Sequence, residues 1–344
     1  MVEARSSPAS LPEQYESHAI LELRPVAPFR LDLTAWALRR RARNRVDHWD
    51  GRYHRVLVIA GRPLTLEVSQ IGTPEAPRLI LSVFGQDMDL TVERVRTARR
   101  VLERSLGLDI DLTNFYRMAQ ADTRIADLAM RFRGLKPPRF PTVFEALANA
   151  VACQQLSLEV GIELLNRLSD AYGEVSGDTT PLLRSFPEPA TIAAALPLAL
   201  RQLGFSTRKA ETLVRLAAAV DNGDADRLGL GELAREEATI ALRSLKGIGR
   251  WSAEYVLLRG FGCLEVFPGD DVGARNKLRA FLELSETPDY ATISQVTAPW
   301  APYAGMVYFH FLLDGLAQRG KIPTLASRPP AEGGATREEA HHGA

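Results

Sequence analysis

Between Ala19 and Phe84 the apolar residues come in short runs rich in Val, Ile and Leu: AILEL (19–23), YHRVLVIA (53–60), PLTLEVSQ (63–70) and PRLILSVF (77–84). Runs of that length and make-up predict strands. The pattern then changes. In LTVERVRTARRVLERSLGL, from Leu90, residues Val92, Val95, Ala98, Val101 and Leu102 fall on one helical stripe. LTAWALRRRAR (33–43) predicts a second helix. Strands with interspersed helices over residues 18–108 predict a small α+β domain. After about Asp109 strand signals almost vanish. Stretches from FEALANAVACQQLSLEVGIELLNRLSDAYG (144–173) to AGMVYFHFLLDGLAQRG (304–320) carry helix-period apolar positions, separated by turns with Gly, Pro or Asp. Residues 109–325, entered through the proline-rich LKPPRFP, read as an all-α domain. The polar ends, 1–17 and 326–344, are expected to be disordered, the His341-His342 pair with them.

Composition narrows the chemistry. Two cysteines in 344 residues, Cys153 and Cys263, exclude a four-cysteine iron–sulfur or zinc site and a disulfide framework. No metal or cofactor is expected. The polar N-terminus lacks the apolar core of a signal peptide, and no run is long enough to span a membrane, so a soluble intracellular (cytoplasmic) protein is expected; a monomer is expected as well. Lys plus Arg equals Asp plus Glu at 42 each, a formal net charge of zero. A chain that held nucleic acid by bulk charge would be basic. Any such binding must be local.

One place suits local binding. A helical pattern stops at Lys246-Gly247-Ile248-Gly249, and RWSAEYVLLRG restarts at once. Free N–H groups at a helix start, with those of the hairpin, suit a phosphate oxygen. Ile248 would plug the hairpin onto the core. Lys246 and Arg250 would add positive charge, and the amides of Gly247, Gly249 and Ser252 would carry much of the grip. A Cβ at Gly249 is expected to strain the turn and obstruct a phosphate. Taken alone, the same residues also read as a helix joint with a glycine cap.

Leu245-Lys246-Gly247-Ile248-Gly249 followed by Asp271 resembles the helix-hairpin-helix DNA glycosylase superfamily. Phe144-Glu145-Ala146-Leu147 with Cys153-Gln154-Gln155-Leu156-Ser157, and Leu203-Gly204-Phe205-Ser206-Thr207-Arg208-Lys209-Ala210, are similar to further family segments. Pro28-Phe29-Arg30-Leu31-Asp32-Leu33-Thr34 resembles the extra N-terminal domain of the 3-methyladenine DNA glycosylase II branch. The resemblance spans about residues 19–322. It implies an α+β N-terminal domain on an all-α glycosylase core, with damaged double-stranded DNA as partner.

It also implies residue roles. Asp270 and Asp271 precede a helix and either could simply cap it; the family pattern puts the catalytic acid at Asp271, with Asp270 turned to solvent. A carboxylate there stabilises the oxocarbenium-like sugar and activates water. Bifunctional members carry a Schiff-base lysine two residues after the second hairpin glycine. Here that residue is Trp251, which implies hydrolysis without strand cleavage. Trp251 and Tyr255 share a helix face, and Phe309 aligns with a further pocket aromatic; together they would stack a cationic alkylated purine. The side chain filling the gap left by a flipped base falls at Gln155, with Leu156 in reserve. Two alternatives stay open: a non-catalytic DNA-binding module, and a glycosylase for a neutral lesion such as uracil or 8-oxoguanine.

Overall fold

A computed structural model of the chain describes residues 14, 15, 17–85, 90–176, 183–223 and 235–322. Of the ends expected to be disordered, 326–344 lie outside the described residues. So does the first segment up to residue 13. Of the N-terminal stretch 1–17 expected to be disordered, β1 (Gln14–Tyr15) is described and pairs antiparallel with Leu90–Thr91. Backbone pairing orders those two residues despite their polar surroundings.

The runs predicted as strands form a five-stranded antiparallel sheet. β2 (His18–Leu23), β3 (His48–Trp49), β4 (Tyr53–Ile59), β5 (Arg62–Ile71) and β6 (Arg78–Gly85) take the order β2-β6-β5-β4-β3. β4 turns into β5 through Ala60-Gly61, both at left-handed φ (54° and 71°), whose twist matches that of the flanking strands. Leu64, Leu66 and Val68 alternate along β5, and Leu79, Leu81 and Val83 along β6, all fully buried on one face. That face meets helix Val92–Leu106 and the central helix Val143–Cys153 in one hydrophobic cluster.

A second cluster gathers residues 112–135 around the C-terminal helix Ala304–Ala317. Helix Leu31–Arg39 joins the two. Leu31, Ala35 and Leu38 enter the first cluster, while Leu33, Trp36 and Ala37 enter the second. A helix apolar all round must be covered on every side. Each cluster draws residues from both sides of residue 108.

Three local differences from the pattern matter. The helix expected over 33–43 stops at Arg39. Arg40 takes a left-handed φ of 63°, its N–H bonds Trp36 O at 2.9 Å, and Asn44 Nδ2 donates to Arg39 O at 3.1 Å. Arginines favour a helix intrinsically, but these capping bonds end it. The 144–173 stretch divides at Gln154, and Ser157 caps the new helix Leu158–Tyr172 by accepting from Val160 N at 3.3 Å. Helices Thr113–Ala119, Thr123–Arg131 and Tyr290–Thr297 went unpredicted, being too short for a clear period.

A buried ion network ties the sheet to the core. Arg55 of β4 bonds Asp47 and Glu145 at 2.5 Å each, all three nearly inaccessible, and Tyr53 OH donates to Asp47 at 2.8 Å. Glu145 stands on the central helix, so this network fixes β4 against the element that leads into the site. No helix among the described residues is long and apolar enough to cross a membrane.

Candidate active site

The hairpin joins helix Arg235–Ser244 to helix Arg250–Val256. Its two glycines are glycine for different reasons. Gly247 has φ +98°, and a Cβ there would meet the Thr212 side chain at 2.6 Å. Gly249 has an ordinary extended backbone (φ −89°, ψ −177°), and a Cβ would meet nothing within 4 Å. The strain expected at Gly249 is therefore absent. Only obstruction of something outside the chain remains as a reason for glycine there. Ile248 is buried as the plug (5% exposed).

A side chain absent from the expectations holds the hairpin in place. Gln154 Nε2 donates to Gly247 O and to Ser252 Oγ, both at 2.9 Å. Lys209 Nζ donates to Ala152 O and Gln154 O at 2.9 and 2.8 Å, capping the central helix. Ser252 itself is buried. The N–H groups of Gly249, Arg250, Trp251 and Ser252 have no acceptor among the described residues, as expected at an uncapped helix start.

Asp271 both caps and faces the cleft. Its Oδ1 accepts from Ala274 N at 2.8 Å, starting helix Val272–Phe281. Its Oδ2 accepts from Trp251 Nε1 at 3.2 Å and from Tyr308 OH at 3.1 Å. Burial first, then the Asp271 charge, push the Tyr308 phenol well above its usual pKa, so it stays a donor. Asp270 does not point freely to solvent. Arg250 clamps it with bonds of 2.6 and 3.0 Å, and the same guanidinium lies 3.7 Å from the Tyr290 ring centroid. The charge expected of Arg250 toward DNA is thus neutralised within the hairpin.

Trp251 and Tyr255 lie against each other in a tilted pair, centroids 5.3 Å apart and 31° between planes. Phe309 does not join them. It is fully buried, beneath the Arg259 guanidinium, and the neighbouring Tyr308 lines the cleft instead. One residue on a helix is a rotation of about 100°, so an offset of one exchanges core for cleft. The neighbours His310 and Phe311 carry no cue to which of these aromatics turns inward.

The cleft holds about 1170 Å³. Asp271, Trp251, Tyr255, Tyr308 and the turn Gln154–Ser157 all line it. Gln155 sits at a left-handed φ of 54°, exposed, and Leu156 is 43% exposed. Lys246 is exposed but does not line the cleft. Eight Arg and Lys side chains line it; Arg250 is paired with Asp270, Arg41 with Glu159 and Lys277 with Asp314, and the rest gather positive charge in a chain of zero net charge. No group of His, Cys, Asp and Glu among the described residues could hold a metal ion.

A hairpin with free amides, a fixed carboxylate beyond it and an aromatic-walled cleft define a helix-hairpin-helix DNA glycosylase fold. The chain belongs to the HhH-GPD superfamily of base excision DNA repair proteins, whose family model matches residues 148–302. It is 30% identical over 203 residues to the DNA-3-methyladenine glycosylase of Bacillus subtilis, covering 59% of this chain and 67% of that one. It is 33% identical over 177 residues to DNA-3-methyladenine glycosylase 2 of Escherichia coli, covering 52% and 59%. The matched region thus spans about three-fifths to two-thirds of these relatives. The 3-methyladenine DNA glycosylase of Archaeoglobus fulgidus superposes with a TM-score of 0.74 at 25% identity, over 88% of this chain and all of that one.

Proposed function

We propose that this protein is a monofunctional DNA glycosylase that takes alkylated purines of the 3-methyladenine kind out of double-stranded DNA and hydrolyses their N-glycosidic bond. The observation that carries this is Asp271 Oδ2, held by Trp251 Nε1 and Tyr308 OH inside the cleft beside the hairpin. As the base departs, positive charge grows on the sugar. A carboxylate already oriented by two donors stabilises that charge with no reorganisation, and can direct the attacking water. The tilted Trp251–Tyr255 pair lining the cleft offers electron-rich aromatic surface to a cationic base, itself a good leaving group. Gln155, strained outward at its left-handed φ, fills the gap left in the duplex. The hairpin amides grip a phosphate, which explains a glycine at 249 that the fold itself does not need.

The test is incubation of the full chain with alkylated duplex. Free base and abasic sites should appear, with no strand nick and no borohydride-trapped adduct, because Trp251 supplies no amine. A non-catalytic binding module would bind the duplex and release nothing.

One observation favours excision of a neutral lesion as a second reading. Arg40 Nη1 donates to Tyr255 OH at 2.7 Å, and the Arg259 guanidinium lies 5.7 Å from the Tyr255 ring. Two buried cations behind that aromatic surface oppose a cationic base and suit a neutral one with acceptor atoms. Competing oligonucleotides carrying 3-methyladenine, uracil or 8-oxoguanine separate the two readings by rate of release.

A further inference from the structure

The segment RRRARNR, residues 39–45, contains five arginines, and the site described above uses only Arg40. Its conformation is held from several directions. Arg39 Nη2 donates to Ala42 O at 2.7 Å, and Asn44 Oδ1 accepts from Asp47 N at 3.0 Å. Asn166, on helix Leu158–Tyr172, clamps the turn across its far side. Its Nδ2 donates to Arg43 O at 2.8 Å, and its Oδ1 accepts from Arg45 N at 3.1 Å. Asn166 is buried, so the clamp is shielded from water.

The turn buries Arg39 and Arg40 and presents Arg41 and Arg43 (side chains 24% and 73% exposed). Both reach one carboxylate, Glu159, at 3.1 and 3.7 Å. Glu159 lies in the first turn of helix Leu158–Tyr172, four residues beyond Gln155. The arginine turn therefore adjoins the turn that enters the duplex. Arg41 lines the cleft together with Gln155, Leu156 and Arg319. Both arginines line the same cleft, and burial, next the positive charge of Arg319, push the Arg41 guanidinium below its usual pKa. Arg319 is exposed and has no carboxylate within ion-pair distance among the described residues. Like charges held together on a rim, with one shared counter-ion, leave a positive surface that an anion would relieve.

We propose that Arg41, Arg43 and Arg319 form a second DNA-backbone surface flanking the Gln155–Leu156 turn, with Glu159 as an internal counter-ion that DNA phosphate displaces. This rests on the glycosylase reading and adds to it where the electrostatic grip lies. The hairpin contributes amides, its Arg250 being tied to Asp270; the arginine turn contributes charge. Because the turn is already fixed by Asn44 and Asn166, little ordering entropy opposes binding.

The experiment titrates full-length protein with lesion-free duplex at several salt concentrations, alongside base release from alkylated duplex. The Arg41→Gln/Arg43→Gln double variant should bind at least tenfold more weakly at low salt. Its log–log salt slope should be shallower by about 2, at roughly 0.9 per phosphate contact. Glu159→Gln should do the opposite, tightening binding severalfold, which a merely structural role for Glu159 would not produce. Wild-type affinity and slope in the double variant, or unchanged or weaker binding in Glu159→Gln, overturns the proposal. If the wild type releases no base yet the variants shift binding as described, the rim stands and the glycosylase reading fails. If base is released but binding is indifferent to all three positions, the rim alone fails.

Discussion

Asp271 holds two positions at once: Oδ1 closes the start of a helix and Oδ2 takes two donors in the cleft. That division makes Asp271→Asn a clean probe. Asparagine caps a helix about as well as aspartate, so the fold should survive while the negative charge is lost. Base excision should fall on the order of a hundredfold or more, by analogy with other preorganised groups, while DNA affinity and melting temperature stay near wild type. Asp270→Asn should retain most activity, since Asp270 is engaged by Arg250. Loss of activity in Asp270→Asn but not in Asp271→Asn would mean that the catalytic acid is misassigned.

At the scale of elements, the hairpin separates a folding role from a binding role within three residues. Gly247→Ala puts a methyl onto Thr212 at a backbone angle alanine avoids. It should destabilise the protein by about 1–3 kcal/mol, the usual range for such strain. Gly249→Ala meets no atom of the described residues within 4 Å and should leave the melting temperature unchanged. It should nevertheless weaken binding of damaged and undamaged duplex alike, since phosphate contacts carry no lesion information. Equal melting losses in both variants, or unimpaired DNA binding by Gly249→Ala, would remove the phosphate from this account.

The C-terminal helix makes a separate prediction. His310 is buried against Phe115 and Phe132, its Nδ1 donates to Met306 O at 2.7 Å, and its Nε2 has no hydrogen-bond partner among the described residues. Burial pushes its pKa down to about 4 from 6.5. The folded state therefore binds fewer protons than the unfolded chain between those values. Stability from this group is complete above pH 6.5 and falls as pH drops from 6.5 towards 4, by on the order of 3 kcal/mol in all. Denaturant melts across pH 4–7 check it: His310→Leu should flatten that part of the profile, and superimposable profiles would count against it.

Across the whole molecule, buried charge joins what the chain separates. Arg55 comes from the sheet, Asp47 from the loop just before β3, and Glu145 from the central helix capped at Gln154. Arg55→Met would leave two carboxylates facing each other without a cation. Removing one partner of a buried pair costs about 3–5 kcal/mol, and chemical denaturation should show a loss of that order. A loss under ~1 kcal/mol would mean that water or proton uptake compensates the pair. The same scale settles the question of charge. The chain sums to zero, yet eight cations line the cleft. A net charge reports solubility and bulk attraction, whereas a ligand meets the local field.

Local pattern by itself determined the four long strands, the long helices and the glycine break between two of them. Each is written in contiguous residues: side-chain periods of 2 and 3.6, a glycine pair, a cap before a helix. The roles of the hairpin and of Asp271 came from the family resemblance. What the pattern left open depends on groups far apart along the chain. Phe309 and Tyr308 are equivalent as apolar helix residues; only docking of helix Ala304–Ala317 against Arg259 and Asp271 sends the first to the core and the second to the cleft. Gly247 and Gly249 look alike in sequence, and Thr212, 35 residues upstream of Gly247, distinguishes them. Arg250 read as free charge until Asp270 and Tyr290 were found against it. The four arginines from Arg39 to Arg43 read as the end of a helix until Asn44 and Asn166 bent the chain into a turn that presents Arg41 and Arg43. Periodicity specifies which face of an element is apolar, but the contact that gives a polar or aromatic side chain its role forms only when distant elements pack.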